Sequence, residues 1–497
     1  MTLNAYQTLC QRFTRHYRFN HLQEIAAWDQ AAFMPPKGAE ARALAMAEMG
    51  GFLHELMTAP ELKALFEAAA QEPLGELEQA SLREMRRHWL RTNALPQTLV
   101  EQRSLAASRC EHAWRQQRPA NDWAGLVPNL REVLRLAREE ARYLADATGL
   151  SRYDAMLDQY EPGMRSATVQ QLFDALRGWL PDTIRAVMAR QATEPAPIQP
   201  QGPFPVEAQR ALGAAVMRLI GFDFEGGRLD ESTHPFCGGV PEDVRMTTRY
   251  NPSEFLTGVL GIVHETGHGR YEQNLPTAWA GLPIGRARSM GLHESQSLFF
   301  EMQLAAHPAF AQLLSPLVRQ HLGEQEAFEP ENLSRLMRKV QPGLIRVDAD
   351  EVTYPAHIIL RFEIERALIE GDAEVEDIPA LWDAKMQELL GLDTRGNFKD
   401  GPMQDVHWPS GGFGYFPCYT LGALYAAQWM AGVRRDVPNV DGLIACGELT
   451  PIFDWLRTRI WTQASRWETA ELAQRASGEP LNPAHFRAHI ERRYLQA

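Results

Sequence analysis

Apolar residues recur three and four positions apart over most of this chain, and strict alternation is rare. Residues 39–58, 60–70, 76–90, 129–148, 168–192 and 206–219 combine that spacing with Ala, Leu, Glu, Arg and Met, residues that lose little on entering a helix. The pattern predicts helix after helix, hence a mainly α fold. Residues 194–205 interrupt it with prolines at 195, 197, 200, 203 and 205; each lacks an amide donor and clashes with the preceding turn, so no helix crosses. The segment reads as a connection between two helical lobes of one domain spanning residues 1–497. A strand is expected over residues 243–250, Asp-Val-Arg-Met-Thr-Thr-Arg-Tyr, where side-chain types alternate.

Directly after that strand, Asn251-Pro252-Ser253-Glu254 has the form of a helix start. Asn251 would be the N-cap, Pro252 the first helical residue, and Glu254 the acid three residues after the cap. Phe255, Leu256, Val259, Leu260 and Val263 form an apolar stripe that leads into His264-Glu265-Thr266-Gly267-His268. Histidines at i and i+4 lie one turn apart on the same helix face and converge on one metal ion, while the intervening glutamate faces its open position. An HExxH string alone arises by chance in roughly a few per cent of chains of this kind, so its helical setting decides. As a pair of core histidines, the site would leave the adjacent acid in need of a partner of its own.

A peptidase zinc takes three protein ligands and keeps one position open. The third is sought in a second helical run, residues 291–306, whose Leu292, Leu298, Phe299 and Met302 mark a buried face. Glu294 is the expected ligand. Its neighbour His293 competes for the place, but a carboxylate beside two histidines is the commoner set.

Composition removes several alternatives. With 50 basic against 63 acidic residues the net charge is −13, which argues against nucleic acid as a partner. Five cysteines, odd in number and without a C-x-x-C pair, indicate neither a disulfide framework nor a zinc ribbon. Cys237 and Cys418 read as buried core thiols. No apolar run approaches the roughly 20 residues of a membrane span, and residues 1–18 are too polar for a signal peptide. The expected compartment is the cytoplasm, with no membrane partner.

Six ordered motifs then carry a family resemblance. They are His234-Pro235-Phe236; Asp243, Arg245 and Thr247; His264 to His268; His293-Glu294-Ser295-Gln296; Ile345-Arg346 with Ala349-Asp350; and Gly401, Gln404-Asp405 and His407-Trp408. In this order they resemble the HPF, DxRxT, HExxH, HES/GQ, IRxxAD and GxxQDxHW motifs of the carboxypeptidase Taq family. Trp28-Asp29-Gln30, Met34-Pro35-Pro36, Tyr153-Asp154 and Tyr160-Glu161-Pro162-Gly163-Met164 extend the likeness towards the N-terminus. Ala32, where a threonine is expected, is a departure without catalytic weight.

The resemblance implies a large two-lobed helical peptidase with a deep central cleft and a small β-sheet beside the zinc helix, of the gluzincin shape of angiotensin-converting enzyme. It also implies that the strand at 243–250 pairs with an extended substrate, and that the enzyme is a homodimer acting on peptides with a free C-terminus, with broad specificity and proline disfavoured. One Zn2+ per chain, replaceable by Co2+, would be held by His264, His268 and Glu294, with Glu265 as general base. Tyr354, His407 and Tyr415 are the candidates for stabilising the oxyanion. Arg346, and after it Arg245, are the candidates for the substrate carboxylate. An arginine beside Asp348 and Asp350 could equally make a buried ion pair, and His234 reads as a structural turn residue. Two other readings remain: an oligoendopeptidase of related fold, and a helical metal-binding scaffold without catalysis, against which the intact Glu265 counts.

Overall fold

A computed structural model of the chain describes residues 3–232 and 235–496; the expectation for His234 falls outside them. Helices dominate, and several follow the apolar spacing closely. Ala39–Thr58 and Val206–Leu219 are helices over the full predicted spans, and Glu76–Ala94 and Trp123–Thr148 extend the expected ones. The run 168–192 is instead two helices, Ser166–Arg177 and Leu180–Gln191. Pro181 is the cause: it is accepted in the first turn of a new helix but not inside a continuing one.

No helix crosses residues 194–205, yet the core does not divide there. One apolar cluster runs from Cys110 and Trp123 through Phe173, Phe204 and Phe255 to Tyr494. A separate cluster, including Leu9, Phe13, Leu62 and Met85, belongs to the N-terminal helices. Phe204, inside the proline-rich stretch, is itself buried in the large cluster.

Three strands form a small sheet in the order β1-β3-β2. β1 (Gly227–Glu231) runs parallel to β3 (Asp243–Thr248), and β2 (Phe236–Val240) runs antiparallel to it. Val244 and Met246 are fully buried beneath the HExxH helix, where a β-carbon at Gly269 would lie 2.8 Å from the Met246 sulfur. Arg245 points to the opposite face and stacks 4.5 Å over Trp28 of the N-terminal helix Ala5–Ala32. The position of β3 corrects the expectation of substrate pairing. Both its edges are already hydrogen-bonded, one to β1 and the other to β2, so β3 has no edge left for an added strand.

The helix start at Asn251 is also corrected. Asn251 and Glu254 form an isolated bridge in a turn, and the helix spans Leu256–Glu272. Glu254 still caps it, because its carboxylate accepts from the amides of Leu256 at 2.6 Å and Thr257 at 3.1 Å. The next segment begins as α-helix, Met290–Leu298, and continues as π-helix over Phe299–Ala305. Among the described residues, no helix is long and apolar enough to cross a membrane.

Candidate active site

Two glycines let three helices meet around Glu294. A β-carbon at Gly267, inside the HETGH sequence, would lie 2.5 Å from the Gln296 carbonyl oxygen and 2.6 Å from the Ser297 Cα. One at Gly422, on the helix Pro417–Asp436, would lie 2.7 Å from the Glu294 Cγ. Side chains at either point would force the backbones apart. The close approach leaves the ligand atoms of His264, His268 and Glu294 all within 4.8 Å of one another, with His268 Nε2 3.4 Å from Glu294 Oε2. The rest of the HESQ motif holds this helix in place. Trp429 Nε1 donates to Ser295 Oγ at 3.0 Å, and Trp461 Nε1 donates to Gln296 Oε1 at 2.7 Å.

Hydrogen bonds behind the histidines orient their rings. His264 Nδ1 lies 2.7 Å from Glu301 Oε2, on the π-helical segment. His268 Nδ1 lies 2.6 Å from His293 Nδ1, whose Nε2 lies 2.8 Å from Glu272 Oε1. The consistent proton assignment has His268 donating to His293 and His293 donating to Glu272, with His264 donating to Glu301. Both Nε2 lone pairs are then free for a cation. Two imidazoles and a buried carboxylate, each oriented from behind, suit a divalent metal of the zinc type. Burial works against the Glu294 carboxylate, but His268 and His264 hold it below its ordinary pKa. Burial pushes the carboxyl of Glu265 up to about 7.

His293, the competing ligand in the sequence, thus stands behind His268 and makes the chain to Glu272. Glu272, Glu301 and this relay were not anticipated. Glu272 lies one turn after His268 and Glu301 about two turns after Glu294, but such spacings are common on any helix and carry no signal alone.

The motifs near the C-terminus assemble a cationic wall. Arg346 donates from Nε and Nη2 to Asp405 Oδ1 at 3.0 and 2.9 Å, and Arg361 donates from Nε to Oδ2 at 2.7 Å. The ion pair of Arg346 is therefore with Asp405 and not with Asp348 or Asp350. Asp350 instead accepts from the Val352 and Thr353 amides, each at 3.0 Å, just before the helix Tyr354–Glu370. Burial disfavours the Asp405 carboxylate, but the two guanidinium groups hold it well below the usual range. Gln404 completes the join by accepting from the Arg346 amide at 2.8 Å and donating to the Leu344 carbonyl at 2.9 Å.

Tyr354, His407 and Tyr415 gather around Tyr419, a residue that sequence reading did not single out. His407 Nε2 lies 3.1 Å from the Tyr419 hydroxyl, and the rings of Tyr354 and Tyr415 lie 6.3 and 5.2 Å from that of Tyr419. Burial, followed in Tyr354 by the negative charge of Glu294, keeps the Tyr354 and Tyr415 phenols protonated. Burial lowers His407 to about 4, so it faces the site as neutral imidazole. Arg346 lies 4.6 Å over the Tyr419 ring, and its charge is felt at Glu294. Arg245 is not brought into this group. Its fork is closed on Asp243 at 2.5 and 2.7 Å, and it lies on the sheet face turned away from the HExxH helix. Cys418 is buried, Cys237 is half-buried, and neither is in a disulfide.

Comparison with known proteins gives the family. A family model described as carboxypeptidase Taq (M32) metallopeptidase matches residues 8–494. Thermostable carboxypeptidase 1 of Thermus thermophilus is 38% identical, covering 99% of this chain and 98% of its own. Among solved structures, metallocarboxypeptidase 1 of Trypanosoma cruzi superposes with a TM-score of 0.97 at 45% identity, covering 99% of both chains. A carboxypeptidase of Pyrococcus furiosus superposes with a TM-score of 0.95 at 31% identity, covering 100% of both.

Proposed function

Since the chain belongs to the carboxypeptidase Taq (M32) family and is a metallocarboxypeptidase, we propose that it removes C-terminal residues from peptides with one Zn2+ held by His264, His268 and Glu294. The observation that carries this reading is the convergence of those three donors, with Glu265 buried on the same helix. A divalent ion held by these three residues would supply Lewis acidity for activating a water and polarising the scissile carbonyl. Glu265 takes the proton from the attacking water and passes it to the leaving amine. A carboxylate on the same helix as the two histidines suits both halves of that transfer.

The protonated hydroxyls of Tyr354 and Tyr415 donate to the developing oxyanion, and His407, whose Nε2 lies against the Tyr419 hydroxyl, supports that group of side chains. Arg346 receives the terminal carboxylate. Two guanidinium groups share the single negative charge of Asp405, so the pair keeps an excess positive charge next to the metal ligands. Arg245, closed on Asp243, has the weaker claim. The setting we infer is a cytoplasmic homodimer: the five cysteines are free thiols, and the dimer rests on family resemblance. Broad specificity with proline disfavoured has the same basis.

Mass spectrometry of one defined peptide incubated with metal-loaded protein tests the reaction. A ladder shortening from the C-terminus supports it, and two internal fragments would favour the oligoendopeptidase. Glu265→Gln preserves shape but cannot take the proton, so turnover should fall on the order of a hundredfold or more with the metal retained. Near-normal turnover in that variant would remove Glu265 as the base.

A further inference from the structure

The segment Tyr160-Glu161-Pro162-Gly163-Met164 has no part in the chemistry above, yet it grips the helix that carries Glu294. Glu161 is completely buried. Its Oε2 accepts from Ser289 Oγ at 2.5 Å and from the Gly291 amide at 3.0 Å. On either side of it, the Met290 amide donates to the Tyr160 carbonyl at 2.8 Å, and Arg288 Nη1 donates to the Pro162 carbonyl at 2.8 Å. Ser289 in turn accepts from the Leu292 amide at 2.9 Å. Three successive amides at the start of Met290–Leu298, which a helix leaves without partners of its own, are thus all satisfied.

A serine cap would serve that end without burying an acid. The carboxylate adds a rigid seat. It binds the side chain of Ser289 and the backbone two residues later, and so sets both the rotation and the height of the first turn. Glu294 follows within the next turn. Space is fitted to the seat from both sides: a β-carbon at Gly291 would lie 2.7 Å from Glu161 Oε2, and one at Gly422 would press on Glu294 itself. The neighbouring Tyr160 packs its ring edge-on against Tyr415 with centroids 5.1 Å apart.

We infer that Glu161 is a positioning residue for the metal site, seating the first turn of the Met290–Leu298 helix so that Glu294 meets the two histidines. Through Tyr160, the same segment ties that ligand to the Tyr415 wall. The inference rests on Glu294 being a ligand, as proposed above, and the test separates the two claims.

Full-length protein loaded with Co2+ reports ligand geometry in its visible spectrum and metal retention in the rate of release to a chelator. Glu161→Ala and Ser289→Ala should each release the metal on the order of 10- to 100-fold faster than the parent, with a changed spectrum. Glu161→Gln keeps an acceptor oxygen and should lie closer to the parent than to Glu161→Ala. Should Glu161→Ala fail to fold, Ser289→Ala is judged by the same two readouts. Parental release and spectrum in the folded Glu161 and Ser289 variants, beside loss of metal in Glu294→Ala, would overturn the inference and leave the ligand assignment standing. Retention of the metal by Glu294→Ala would overturn the assignment itself.

Discussion

At the scale of single residues, Asp405 shares its one negative charge between two arginines, Arg346 and Arg361, and the proposed role of Arg346 turns on what that excess charge does. Arg346 uses Nε and Nη2 on one oxygen, which leaves its Nη1 edge for a second carboxylate. Arg346→Ala should weaken kcat/KM on free-acid peptides by roughly 2 to 4 kcal/mol, because the substrate carboxylate would be buried without its charged partner. Amidated peptides should be poor substrates of the parent and little worse in the variant. Equal loss on acid and amide would mean that Arg346 serves the fold through Asp405 and not the substrate. The arginine and the aspartate were both visible as motif residues; their pairing was not, because 59 positions separate them.

At the scale of elements, the site depends on how closely three helices approach. Gly422→Ala would drive a methyl into the Glu294 side chain. It should cost about 1 to 3 kcal/mol of stability and loosen the metal. Gly261 lies on the HExxH helix, with nothing within 4 Å of an added β-carbon. Gly261→Ala should therefore stabilise by about 0.5 to 1 kcal/mol, since a helical glycine is entropically costly. Thermal melting with chelator challenge checks both, and similar behaviour of the two variants would refute the packing argument. Helix existence was legible from periodicity, as at Ala39–Thr58 and Val206–Leu219. The start at 251–254 misled because Asn-Pro-Ser-Glu suits a turn as well as a cap, and only the fold around Glu254 chose between them.

Across the whole molecule, the C-terminal segment is locked onto the metal-site scaffold. Arg493 donates to the carbonyls of Met302 and Gln303, in the π-helical stretch that carries Glu301. Glu351 accepts from Arg493 at 2.9 Å, Tyr494 at 2.6 Å and His489 at 3.1 Å. Burial opposes its charge, but these partners pull its pKa down to about 2. A carboxyl depressed in the folded state adds stability that is full above its unfolded pKa and is lost as pH falls through the folded one. The window is therefore about pH 4.5 to 2, and the amount is on the order of 3 kcal/mol. Burial lowers His489 to about 4, so acid costs stability there too, between about pH 6.5 and 4. Urea melts should find Glu351→Gln less stable than the parent at pH 7, with the gap closing towards pH 2. A gap constant with pH would assign Glu351 a purely steric role.

The sequence by itself determined the helical class and pointed to His264, His268, Glu265 and Glu294 as the residues to examine, because these follow from local spacing and from motifs whose residues carry their own chemistry. Tertiary structure alone decided which groups stand behind His264 and His268, that β3 is paired on both edges, that Arg346 faces Asp405 while Arg245 turns away, and that Glu161 hydrogen-bonds the start of the helix carrying Glu294. Each of these depends on residues far apart in the chain being brought within a few ångströms, and helical periodicity holds no information about which helix a given face will meet.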